Sequence, residues 1–247
     1  AAGERVVIEE ALQGEEVSFL AFCDGQNIVA LPSAQDHKPV GEGDTGQNTG
    51  GMGAYSPAPV LPVHRYEEMV DLAIRPLIQT LEAYGQPFQG VLYAGLMMTA
   101  SGPKVLEYNV RFGDPECQPL MMRLEGDLAE IMLACVEGSL DKVEVSWSKE
   151  TALCVVMASQ GYPGPYKKGM KITGIDRAET STKVKVFQAG TKKQNNQILA
   201  SGGRVLGVTA LGTDLVQAKK QVYKALKNIE FEDSYFRSDI GDKGLKR

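Results

Sequence analysis

The chain is 247 residues long, 43% hydrophobic and 23% charged, with a formal net charge of −5, enough for one large core or two modest ones. Lys and Arg are scattered rather than gathered in a stripe, which argues against a nucleic-acid binder, and apolar runs such as 152–159 fall far short of the roughly 20 residues that cross a bilayer. Cys23, Cys117, Cys135 and Cys154 are widely separated with no CxxC pair, so neither a zinc site nor a disulfide framework is indicated and reduced thiols in the cytosol fit best.

The chain opens Ala-Ala-Gly-Glu-Arg, with no initiator methionine and no signal-peptide layout, and runs straight into apolar Val6-Val7-Ile8. It reads as starting in mid-domain, with a strand over 6–10 whose preceding neighbours lie outside it. A turn at Gln13-Gly14 leads to a strand over 16–21, and another at Asp24-Gly25 leads to a strand over 28–31, an antiparallel meander. Residues 36–62 are rich in Gly, Pro, Asp, Asn and Ser and read as a long loop, of the kind kept for function. Apolar residues at helical spacing (Met69, Leu72, Ala73, Leu77, Leu81) predict a helix over 66–84, kinked at Pro76 and stopped by Gly85.

Residues 91–99 and 103–110 predict a hairpin across Ala100-Ser101-Gly102. A helix is expected over 119–137, closed by Gly138, and then a polar linker over 141–150 with a domain boundary near Lys142. Strands over 152–159, 170–175, 183–189 and 204–210 and a helix over 214–228 begun at Thr213 make a small C-terminal α+β unit.

Two segments carry chemistry. Glu107 and Asn109 stand two apart on the second hairpin strand and leave the same face, and both offer the hard oxygens that Mg²⁺ prefers; Arg111 continues that face. Such a set suits a magnesium nucleotide with a transferring phosphoryl group, although the same alternation also describes the solvent face of an amphipathic strand. Residues 41–56 hold six glycines among Asp44, Thr45, Asn48 and Thr49, a composition that suits an anion nest or a flexible surface loop. GxxxxGK[ST], GxGxxG and GxSxG are all absent, and His37 and His64 are the only histidines, so P-loop, dinucleotide-binding and covalent-hydrolase readings have little material. His64 reads as a surface or capping residue, and His37, in Gln-Asp-His-Lys, as nearer a ligand.

With Glu9-Glu10-Ala11-Leu12-Gln13-Gly14-Glu15-Glu16, Asn48-Thr49-Gly50-Gly51-Met52-Gly53-Ala54-Tyr55 and Glu107-Tyr-Asn109-Val-Arg111-Phe-Gly-Asp114-Pro-Glu116 in this order, the chain closely resembles the phosphoribosylamine-glycine ligase family of the ATP-grasp superfamily, over almost its whole length. The resemblance implies an α+β fold: the C-terminal portion of an ATP-grasp domain, an antiparallel sheet with helices, over 1–142, and a small α+β domain over 143–247. A separate domain and a further grasp lobe would precede Ala1, and the fragment alone could be inactive. It further implies a hinge strand at Glu9, Glu10 and Leu12 that reads adenine, with Glu16 on the ribose. Mg²⁺ (or Mn²⁺) would be held by Glu107 and Asn109, with Arg111 on the phosphates or acyl-phosphate. Asp114 and the loop Asn48, Thr49, Gly50, Gly51 and Gly53 would lie on the amine-substrate and phosphate side, and Asp36 and Lys38 in a neighbouring nucleotide segment. The preceding strand, Leu92-Tyr-Ala-Gly-Leu-Met-Met, lacks the third acidic ligand common in the superfamily, leaving water or phosphate to complete the metal shell.

The implied activity is ATP-dependent joining of glycine to phosphoribosylamine through an acyl-phosphate. Glycine, phosphoribosylamine and ATP would be the only partners, with no nucleic acid or membrane, in a cytoplasmic enzyme that could be fused to other purine-pathway domains. Another ATP-grasp ligase or carboxylase of that pathway, a non-catalytic nucleotide-binding module and a structural domain of a multifunctional enzyme remain as alternatives.

Overall fold

The computed structural model describes residues 6–247. Residues 6–13 have no regular structure, and Val6, Val7 and Ile8 are 76%, 82% and 93% exposed. The strand expected over 6–10 is therefore absent, because no neighbouring backbone among the described residues pairs with that segment. The first strand, β1, runs Glu15–Asp24. It turns at Gly25 (φ +101°), where the Asp24 carboxylate accepts from the amides of Gln26 and Asn27, and returns as β2, Ile28–Ala30.

The glycine-rich stretch is not one long loop, and only short irregular pieces such as 49–52 interrupt its strands. It contains β3 (Gln35–Asp36), β4 (Pro39–Gly41), β5 (Thr45–Asn48) and β6 (Gly53–Ser56). β4 and β5 form a hairpin whose tip places Gly43 and Asp44 at positive φ, and β6 enters a large sheet. These strands escape a propensity reading because Gly and Asn are depleted in strands. At Gly53 the absence of a side chain is needed, since a Cβ would stand 2.6 Å from the carbonyl oxygen of Cys154 on the next strand.

The predicted helix is present in two pieces, α1 (Tyr66–Met69) and α2 (Arg75–Ala83), joined by a π-turn over Val70–Ile74. The amide of Arg75 donates to the carbonyl of Val70, five residues back. Pro76 is the physical cause: with no N–H and a ring that crowds the preceding turn, it makes the helix widen just before it. Gly85, at φ +71°, follows the helix end as expected.

Strands β7 (Gln89–Thr99) and β8 (Gly102–Asn109) form the expected hairpin, and the first sheet has the order β2-β1-β7-β8, all antiparallel. Period-2 alternation divides its faces. Val17, Phe19, Ala21, Leu92, Ala94 and Leu96 join the main core with the kinked helix, whereas Leu20, Phe22, Val91 and Tyr93 enter a second cluster. The register places Glu16 opposite Met97, Ser18 opposite Gly95, Gly95 opposite Glu107 and Tyr93 opposite Asn109, so Glu16, Glu107 and Asn109 share the face of the second cluster.

The single helix expected over 119–137 is two: α3 (Cys117–Arg123) and α4 (Leu128–Glu137), separated by β9 (Leu124–Glu125). Gly126 sits at φ +133°, and the Asp127 side chain accepts from the amide of Ala129, capping a new helix. Gly138 closes α4 in the left-handed conformation as predicted. The expected linker contains β10 (Ser146–Trp147), which pairs with β9.

Beyond it come β11 (Thr151–Ser159), β12 (Lys171–Ile172), the short α5 (Ile175–Ala178) and β13 (Val184–Gln188). The hairpin β14 (Thr191–Gln194) and β15 (Gln197–Ala200), not anticipated, turns through Asn195 and Asn196, both at positive φ, which asparagine tolerates well. β16 (Arg204–Gly212) precedes α6 (Leu215–Leu226), capped by Asp214 rather than Thr213. Its Leu215, Ala218, Val222, Ala225 and Leu226 are buried, each large side chain worth about 1.5–3 kcal/mol of transfer. β17 (Ser234–Tyr235) and α7 (Asp242–Leu245) finish the chain. The second large sheet has the order β13-β16-β11-β6-β3, with β17 also on β11, so strands from before and after residue 142 share it.

Candidate functional site

Glu107 and Asn109 stand side by side at the end of β8, with Asn109 Nδ2 donating to Glu107 Oε1 (3.3 Å). Arg111 follows, its Nη2 donating to Asn109 Oδ1 (3.2 Å) and its Nη1 to the carbonyl of Phe112 (2.9 Å). The alternation of an extended chain brings the first two together, as predicted. The donor set, a carboxylate and an amide oxygen open to solvent, fits a hard divalent cation once the amide turns its oxygen toward Glu107. Among the described residues no three His, Cys, Asp or Glu side chains gather into a metal cluster, so water or phosphate oxygens would supply the remaining ligands.

On the same sheet face a cavity of about 360 Å³ is lined by Glu16, Asp36, Lys38, Asn48, Met97 and Lys243 among others. Lys38 Nζ lies 2.5 Å from Glu16 Oε2. Burial pulls the Lys38 pKa down, but its hydrogen bond to Glu16 and the charges of Asp36, Glu16 and Glu107 outweigh this and hold it above the ordinary lysine value. Glu107 is thus close enough for its charge to act on the lysine. Asp36 is pushed up to about 7, first by burial and then by the charge of Glu116, against the pull of Lys38. Glu116 is buried and accepts from Ser18 Oγ (2.8 Å) and Tyr93 Oη (3.0 Å). That network ties the turn after β8 to β1 and β7.

A third group involves the loop at 48–52. The Thr49 hydroxyl donates to the carbonyl of Lys38 and accepts from the Gly51 amide, the amides of Thr49 and Met52 donate to the carbonyls of Lys38 and His37, and the Gly50 amide donates to Tyr162 Oη. These four amides are engaged within the protein, so the loop as folded is not an open nest for an anion. Gly51 needs its freedom, with φ +109° and the Pro115 ring close against it.

Asn48, Glu16, Asp36 and Lys38 therefore surround one cavity, with Glu107, Asn109 and Arg111 beside it. Thr49, Gly50, Gly51 and Asp114 cluster separately, and Gly53 is packed into the sheet. Glu9, Glu10 and Leu12 lie on the irregular leading segment, where Glu10 pairs with Lys104 (2.7 Å), so the hinge is not a strand. His37 is packed inside the protein between Asp36 and Lys38 of the cavity wall. It is 1% exposed, its ring between the Gly53 carbonyl and the Gly241 amide, and burial, helped by Lys243 and Arg237, lowers its pKa to about 4. His64 is exposed, as expected. Sequence reasoning missed Tyr162, Arg204 and Lys243, which reach these groups from distant segments with no local motif.

The ATP-grasp (A) domain of phosphoribosylglycinamide synthetase matches residues 1–117, and the C domain of the same enzyme matches residues 152–243. A phosphoribosylamine–glycine ligase from Vigna unguiculata is 52% identical over 241 residues, covering 96% of this chain and 78% of its own length. The chain belongs to the phosphoribosylglycinamide synthetase family. The family's ligase from Rhodopirellula baltica is 53% identical over 246 residues, 99% of this chain but 56% of that protein. The crystal structure of phosphoribosylamine–glycine ligase from Thermotoga maritima superimposes with a TM-score of 0.81 at 33% identity, over 94% of this chain and 57% of that one. The chain thus spans little more than half the length of these two relatives, and its sheets and helices form part of an ATP-grasp fold together with the family's C domain. Among the described residues no helix is long and apolar enough to cross a membrane.

Proposed function

We propose that the protein to which this chain corresponds is an ATP-dependent carboxylate–amine ligase that joins glycine to 5-phosphoribosylamine. The products would be glycinamide ribonucleotide, ADP and phosphate, a step of de novo purine biosynthesis. The observation that carries this reading is the juxtaposition of Glu107, Asn109 and Arg111 with the cavity held by Glu16, Asp36 and Lys38. ATP is the nucleotide, and Mg²⁺ or Mn²⁺ held by Glu107 and Asn109 would offset charge on its phosphates. Lys38, kept protonated and aimed by Glu16, supplies a fixed positive charge at the cavity, and Glu16 has a second carboxylate oxygen for the ribose. Arg111 stands where charge develops as the γ-phosphoryl group passes to glycine's carboxylate. The amine then displaces phosphate from glycyl phosphate.

No side chain need take the acyl group. Burial raises all four thiols, Cys117 to about 11 and Cys23 and Cys154 to about 12, so none offers a thiolate near neutral pH. Catalysis by positioning and charge compensation suits such a site. We read the enzyme as cytoplasmic, its halves at 1–142 and 143–247 as the two family domains, and its partners as small molecules. ADP release by the full-length protein tests the reaction: it should require glycine and phosphoribosylamine together. Release supported by bicarbonate or another carboxylate in place of glycine would assign it elsewhere in the superfamily.

A further inference from the structure

Gly50 is held from two directions by residues more than a hundred positions away. Its amide donates to Tyr162 Oη (3.0 Å), and its carbonyl accepts from Arg204 Nη1 (2.6 Å). The same Nη1 reaches the main-chain oxygen of Asp114 (2.8 Å) and, at 3.4 Å, that of Gly51, while Nη2 donates to Asp114 Oδ2 (3.1 Å). The other oxygen of Asp114 accepts from Gln118 Nε2 (3.1 Å). A Cβ on Gly50 would stand 2.8 Å from Arg204 Cζ, so the guanidinium rests directly on the glycine.

We propose that Arg204 is a positioning residue for the ligase reaction, a clamp that fixes the loop at 49–51 to the turn at Asp114, the two segments that would face the amine substrate. This rests on the reaction proposed above. Arg204 opens β16, which is paired on both sides by β11 and β13, whereas both segments it grips are irregular. A rigid strand therefore imposes its geometry on two segments that have little of their own. Only a planar fork of donors reaches three carbonyls and a carboxylate together; a lysine ammonium, a point charge on a flexible stem, does not. Without it the loop keeps the Gly50 amide's bond to Tyr162 and the contacts of Thr49 to Lys38 and Gly51 to Thr49, so the fold should survive its loss while the loop, no longer bridged to the Asp114 turn, loosens.

The test uses Arg204→Ala and Arg204→Lys in the full-length protein. Hydrogen exchange at the Gly50 and Gly51 amides should quicken by about tenfold or more in both variants, with the β11 and β16 amides unchanged. Unaltered exchange would overturn the clamp, whether or not the protein turns over. In steady-state kinetics kcat/KM for the amine should fall by about 100-fold, as small misplacements do, while KM for MgATP moves less than about twofold, because the nucleotide side is untouched. Methylguanidinium should restore part of the Arg204→Ala rate. Full activity of Arg204→Lys, or equal losses in the MgATP and amine terms, would overturn the positioning role. Absence of glycine-dependent ADP release in the wild type would sink the reaction itself, and exchange alone would then judge the clamp.

Discussion

Glu107 and Asn109 owe their pairing to strand alternation, and both sit at the surface, so neither holds up the core. Glu107→Gln and Asn109→Ala should leave the thermal transition within a few degrees of the wild type, at most about 1 kcal/mol for surface positions. Binding of MgATP to the full-length protein should weaken at least about tenfold, read by calorimetry; unchanged affinity would remove the pair from the nucleotide site. Asp36 and His37 are adjacent and titrate in opposite senses. The folded Asp36 keeps its proton to about 7 against an ordinary 3.8, so its contribution favours folding at low pH and declines as pH rises through that window. His37, about 4 when folded against 6.5, contributes fully above 6.5 and loses that contribution as pH falls toward 4. Asp36→Asn should therefore gain stability over the wild type as pH climbs from 4 to 7, by up to about 2–4 kcal/mol. Melting curves across that range decide it, and a gap independent of pH would show that burial does not hold the proton. The groups acting on Asp36 are Glu116, Lys38, Glu16 and Lys243, and all stay in place in the variant.

Helix ends in this molecule follow from single residues. Asp214 caps α6 by accepting from the Gln217 amide (2.8 Å), and Asp214→Ala should cost about 1 kcal/mol in urea denaturation. Gly138→Ala at the left-handed end of α4 should cost a similar amount, about 1 kcal/mol, from backbone conformation alone. Nothing lies within 4 Å of the added Cβ, so a much larger loss would mean that the α4 end does more than terminate. The capping and stopping signals are legible in the residues except at two places: the apolar period carries across Gly126-Asp127 and hides the break between α3 and α4, and the cap of α6 is Asp214, one position after Thr213. The π-turn shows how local chemistry sets a detail that periodicity cannot, since Pro76 alone shifts the pairing by a residue.

Across the whole molecule, the last segment braces the front. Arg237 is 1% exposed and donates to Asp239 through Nε (2.8 Å) and Nη2 (2.6 Å), and through Nη1 to Asp44 (3.0 Å) and the carbonyl of Pro39 (2.9 Å). Asp239 is partly buried, which alone would raise its pKa, but Arg237 and the Gly43 amide outweigh this and hold it near 2. The hairpin β4–β5, which carries Asn48 to the cavity, is thus pinned by residues almost two hundred positions downstream. Arg237→Ala should cost about 3–5 kcal/mol, because Asp239 loses its counter-charge and Asp44 is left with Lys243 as its one cation among the described residues. Chemical denaturation measures the loss, and one below about 1 kcal/mol would mean that water replaces the guanidinium freely.

Strands β1, β7, β8, β11 and β16 and helix α6 could be read from the chain because each has an apolar period that its own neighbours in sequence impose. The Glu107–Asn109–Arg111 face was legible for the same reason, since two-residue alternation needs no partner to be seen. The glycine-rich strands β3 to β6 were hidden, as they have little intrinsic β preference and exist because β11 and the Arg237 cluster hold them. Arg204 was invisible as well, its grip on Gly50 spanning 154 positions. Local patterning encodes which way a side chain points along its own element, and nothing in it encodes which distant backbone will stand opposite. That pairing is settled only when the whole chain packs.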